Sequence, residues 1–83
     1  MTKEFVYETL KTYYARNFKE FENLSKDKQK SQVDRYWGGF CEVAMFVQHL
    51  GLTYEEVSKV YDPYYKKFRE IKVGDWQNPL SMI

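Results

Sequence analysis

The chain contains one histidine and one cysteine, and that scarcity bounds the chemistry open to it. His49 and Cys41 are eight positions apart, which on a helix puts them on different sides, so they cannot serve each other as base and nucleophile within one element. Glu42 and His49 do share a helical face. They stand two turns apart, however, and the i,i+3 or i,i+4 spacing by which one helix offers two side chains to a metal is missing. Gly38 and Gly39 lack the preceding strand, the spacing and the lysine of a phosphate-binding loop. The residues therefore predict no catalytic centre, no metal site and no cofactor. His49 reads as a solvated side chain and Cys41 as a small core residue.

Bulk composition narrows the classes further. Thirteen Lys and Arg against twelve Asp and Glu leave a formal charge of +1, which argues against a protein held to nucleic acid or anionic lipid by its overall field. With 43% hydrophobic and 19% aromatic residues the chain is too apolar to stay disordered, and its eight Tyr, six Phe and two Trp supply large buried areas per side chain. Eighty-three residues suit one domain, near the size at which a single core leaves a modest margin of stability. A lone cysteine excludes an internal disulfide and suits a reducing compartment, and no apolar run approaches a membrane span or a signal segment. The expectation is a cytoplasmic protein without a membrane partner.

The elements that position these residues are helical. Thr2 can cap a first helix running to about residue 23, with Val6, Leu10, Tyr13, Tyr14, Phe18, Phe21 and Leu24 on one side and Glu8, Lys11, Arg16, Lys19, Glu20 and Glu22 on the other. Asn17 falls within the apolar arc, where its amide needs a partner or a rim position. Ser25 caps a second helix over about 26–50, whose arc of Val33, Tyr36, Trp37, Phe40, Val43, Ala44, Val47 and Leu50 keeps its phase through Gly38 and Gly39. Two adjacent glycines cost roughly 2 kcal/mol relative to alanines in a helix interior. A break near Trp37 is the alternative to one continuous helix.

The segment VQHLGLTYEEV, residues 47–57, writes out one helix end and the next helix start. Gly51 suits the left-handed position after the last turn, Thr53 with Glu56 forms a capping box, and Leu52 can staple onto Val57. The third helix then buries Tyr54, Val57, Val60, Tyr61, Tyr64, Tyr65, Phe68 and Ile71. Pro63 lies on its polar side, so either the helix bends around the core or Asp62 caps a new helix with proline at its first position. Gly74 and Asp75 end the pattern, and Trp76, Leu80, Met82 and Ile83 form an apolar tail that folds back as a lid or docks into a partner. The predicted architecture is all-α: a compact three-helix bundle packed around the second helix over 1–73, third helix kinked or split at Pro63, with a tail over 74–83 packed on it.

Met45 and Phe46 lie outside the arc that buries Trp37, Phe40 and Val47, so the second half of that helix is apolar nearly all round. Such a helix is either sandwiched between neighbours or offered to another molecule, and glycines beside it would let another backbone come close. The function this suggests is a small non-enzymatic protein-binding module, acting as an adaptor, inhibitor or modulator of another protein. Its contact residues would be Gly38, Gly39, Glu42, Met45, Phe46, His49 and Trp76, with a homodimer as one form of the contact. A compact aromatic chain of this size looks like the accessory proteins of bacteriophages and other mobile elements.

A second reading starts from residues 52–60, LTYEEVSKV, which resemble the first helix of helix-turn-helix DNA-binding modules, where an L-S-Y-E-E-I-A pattern recurs; the likeness covers about a tenth of the chain. Asp62 and Pro63 stand where those modules carry a glycine turn. The resemblance implies that Ser58 takes the small-residue position and that the following helix enters the major groove, with Lys66, Lys67, Arg69 and Lys72 as its nucleic-acid contacts.

Overall fold

Each helix begins where a short hydroxyl side chain takes over a free backbone N–H. In the computed structural model, which describes residues 2–71, α1 spans Lys3–Glu22, α2 Lys26–His49 and α3 Tyr54–Ile71. Thr2 Oγ1 accepts from the Phe5 amide at 3.1 Å and Ser25 Oγ from the Lys28 amide at 3.3 Å. Ahead of α3, Thr53 Oγ1 accepts from the Glu56 amide at 3.2 Å while Glu56 Oε1 accepts from the Thr53 amide at 2.9 Å, the reciprocal box that the spacing predicts. At the end of α2, Gly51 has φ +111°, its amide donates to the Gln48 carbonyl at 3.2 Å, and the Leu52 amide donates to the Val47 carbonyl at 3.1 Å. Leu52 and Val57 are both buried, as the staple requires.

The first connection carries a device that no local pattern announces. Gln29 Nε2 reaches back from α2 to donate to the carbonyls of Phe21, Glu22 and Leu24 at 3.2 to 3.3 Å. It thereby ties the first turn of α2 to carbonyls of the last turn of α1 and of the connection, where backbone acceptors lack a full set of helical partners.

Each helix packs on both others, and α2 packs more extensively on each neighbour than they do on one another, as the expected architecture has it. No strand occurs among the described residues. The centre is aromatic. Phe68 of α3 meets Phe18, Phe21 and Phe40 edge-on with centroids 5.0 to 5.2 Å apart, and Tyr14 of α1 stacks on Phe40 of α2 at 4.3 Å. Such pairs add about 0.5–1.5 kcal/mol each beyond the area they bury. Val6, Leu10, Val33, Ala44, Val47, Val57 and Val60 fill in around them.

Three positions assigned to the apolar arcs lie at the surface instead: Tyr13, Leu50 and Tyr54 are exposed. Tyr13 is at the edge of the α1 stripe, beside the fully buried Tyr14. Leu50 caps α2 beyond its last helical residue, and Tyr54 opens α3 before the helix has turned onto the core. Asn17 solves its burial problem at the rim, donating from Nδ2 to the Tyr13 carbonyl of its own helix at 2.8 Å. Gly38 and Gly39 do not interrupt α2, and α3 runs unbroken through the exposed Pro63. The tail over 74–83 lies outside the described residues. No helix among the described residues is long and apolar enough to cross a membrane.

Candidate functional site

The register between α1 and α2 decides which surface residues become neighbours. The Tyr14 hydroxyl donates to the Phe40 carbonyl at 2.6 Å, and the Tyr36 hydroxyl donates to Glu20 Oε1 at 3.1 Å. The helices are therefore antiparallel, with the first half of α1 beside the second half of α2. Lys3 Nζ meets Glu56 Oε1 at 3.0 Å, which brings the start of α3 to the same end of the bundle. Of the exposed large apolar side chains among the described residues, Phe5, Met45, Phe46, Leu50 and Tyr54 belong to that end, and Tyr13 stands midway along the bundle, level with Phe40.

The second half of α2 supplies the densest part of this surface. Phe46 is 60% exposed and Met45 43%, so α2 is not sandwiched at this level. Gly38, Glu42 and His49 are exposed on the same outward side, and Gly39 is half-buried at its α1 edge. Six of the sequence-predicted contact residues are thus brought together on one helical face. Trp76, the seventh, lies outside the described residues.

The glycines have no interior explanation. A Cβ built at Gly38 or Gly39 meets nothing within 4 Å, and neither residue has a positive φ. Beside Gly39, α1 and α2 part into an open groove of about 410 Å³, flanked by Tyr13, Asn17 and Glu20 on one side and Gln32, Arg35 and Tyr36 on the other. Burial and the bond to Glu20 raise the pKa of the Tyr36 phenol. Arg35 and Glu42, the charges on the outward strip, make no ion pair among the described residues.

Sequence reasoning did not single out Phe5, which is 60% exposed, or the groove beside Gly39. The signal for Phe5 was the one that marked Phe46, a large aromatic off the apolar arc of its helix. The groove left none, because it depends on how far two helices part.

The residues that could do covalent chemistry are dispersed. Cys41 faces the core, where burial, and then the nearby Glu42 carboxylate, push its thiol up to about 12, so it stays protonated and inert as a nucleophile. His49 lies on the exposed side. Among the described residues no group of three or more His, Cys, Asp or Glu side chains is placed to hold a metal ion.

The basic residues of α3 do not form the helix that the helix-turn-helix resemblance implies. With no turn at Asp62 and Pro63, the segment over 54–71 is one helix, and no separate recognition helix stands off from it. Lys67 lies over the rings of Phe18 and Tyr64 at 5.0 and 5.7 Å, Lys66 is exposed, Arg69 is half-buried, and Lys72 lies outside the described residues. Comparison with known families, with curated proteins and with solved structures finds no match for this chain.

Proposed function

We propose that this chain is a non-enzymatic protein-binding module, an adaptor, inhibitor or modulator whose contact surface is the outward face of α2. The observation that carries the reading is Phe46, a large aromatic left 60% exposed by a domain whose core is otherwise built from aromatics. Met45 extends the apolar area, residues 38–49 hold a single Asp, Glu, Lys or Arg, namely Glu42, and aromatic and methionine surfaces with few charges are what protein interfaces favour. Anchors of binding energy are characteristically such aromatic side chains set among weaker contacts.

Phe46→Asp tests the reading. An exposed substitution shifts stability by no more than about 0.5 kcal/mol, so the variant keeps its helical circular dichroism spectrum and melts within about 4 °C of the wild type. It loses the partners that the wild type retains in affinity capture from its host. A variant that unfolds would make Phe46 a core residue, and one that captures the same partners would move the interface elsewhere.

A further inference from the structure

Arg35 and Glu42 lie on one outward strip of α2, on either side of Gly38 and Gly39 and equally far from the midpoint of that pair. A strip with opposite charges placed symmetrically about its centre is complementary to itself turned end for end. We propose that the occupant of this face is a second copy of the chain, packed antiparallel along α2 about a two-fold axis passing between Gly38 and Gly39. The inference rests on the reading of the outward α2 face as a binding surface.

Three independent features converge on this arrangement. The first is charge. Antiparallel pairing about the glycines sets each Arg35 level with the partner's Glu42, so two ion pairs form, related by the axis, between side chains that have no ionic partner within the described chain. Parallel pairing of the same strip would set Arg35 against the partner's Arg35 and is disfavoured. The second is the glycine pair, exposed or half-buried, helical, and unneeded by the interior because a Cβ at either position meets open space. Absence of Cβ where two helices cross lets the backbones approach closely, which brings the flanking Arg35 and Glu42 within reach of one another.

The third is shape. In a two-fold pair, the flank of the strip nearer α1 meets the same flank on the other copy. Phe46 is on that flank, and so is the groove of about 410 Å³ between α1 and α2. In the proposed register Phe46 comes level with the partner's Ser31, next to Gln32 at the mouth of the partner's groove, so that an exposed ring and an open cleft fill each other twice.

Sedimentation equilibrium over a concentration series, on the full chain, tests this with charge exchange. The wild type populates a monomer–dimer equilibrium. R35E and E42R, both at exposed positions, keep the helical spectrum but weaken the dimer by on the order of tenfold or more, because each then opposes like charges at both contacts. An equimolar mixture of the two variants recovers a dimer, and so does the double variant R35E/E42R alone, since each restores opposite charges at both contacts. Association through any other surface, or with a different protein, does not produce that reciprocal rescue. A wild type that stays monomeric throughout, single variants that dimerise as the wild type does, or a mixture that fails to recover would each overturn the inference. A monomeric wild type whose Phe46→Asp variant remains folded removes the second copy and leaves the protein-binding face standing; a Phe46→Asp variant that unfolds removes both.

Discussion

Tyr14 joins two helices through a single hydroxyl. Its side chain is fully buried, its ring lies nearly parallel to that of Phe40, and its O–H donates to the backbone carbonyl of that same residue. Burial first, and then the neighbouring Cys41, Tyr13 and Tyr61, raise its pKa far above the usual phenol value, so the core holds a neutral donor rather than a charge. Tyr14→Phe keeps the stack and removes only the bond. It should cost about 1 kcal/mol, because the Phe40 carbonyl keeps its place in the α2 hydrogen-bond ladder, and urea unfolding measures that loss directly. A loss of several kcal/mol would mean that the hydroxyl also holds the helices in register. The burial of Tyr14 was legible in the helical period, whereas its acceptor was not, because that depends on how two helices slide past each other.

At the scale of the element, α2 combines a strong core stripe with an interior that is locally weak. Gly38 and Gly39 occupy ordinary helical backbone with free space around each Cα, so alanine fits at both without rearrangement. Each replacement should stabilise the monomer by up to about 1 kcal/mol, raising the melting temperature by roughly 4–8 °C per kcal/mol for a domain of this size. The same replacements should weaken self-association, since they add a methyl group where two backbones would cross. Opposite signs in the two measurements, stability from dilute denaturation and association from sedimentation, distinguish a binding glycine from an accidental one. Alanine variants that are less stable as monomers would show that the glycines serve the fold. The caps of α1, α2 and α3 could be read from sequence because a few consecutive residues complete each of them. Pro63 could not, since Asp62 and Pro63 support a bend and a new start equally; burial of Val57, Val60 and Tyr61 on one side of it and Phe68 on the other favours one helix. Among site residues, Phe46 was legible as an aromatic out of phase. The exposure of Tyr13, Leu50 and Tyr54 depended on the width of each buried stripe.

For the molecule as a whole, the end of the bundle that carries the exposed aromatics is also where α1 and α3 are tied by charge. Glu56 accepts from the Thr53 amide within its own cap and meets Lys3 across the helix pair at 3.0 Å. The Thr53 amide first, and then Lys3, hold its carboxyl down at about 2, below the ordinary 4.5. The linkage has a definite sign. A carboxylate that is more acidic in the folded state adds stability that is fully present above pH 4.5 and is lost as pH falls through about 2. Urea midpoints followed across that window should fall more steeply for the wild type than for Glu56→Gln, which lacks the titrating group. The two proteins should differ at neutral pH and converge near pH 2. Because Glu56 is open to solvent, added salt should shrink the part of the difference that comes from Lys3 and leave the part that comes from the cap. Parallel midpoints for the two proteins from pH 7 to 2 would show that neither the cap nor the ion pair contributes to holding this end of the bundle closed.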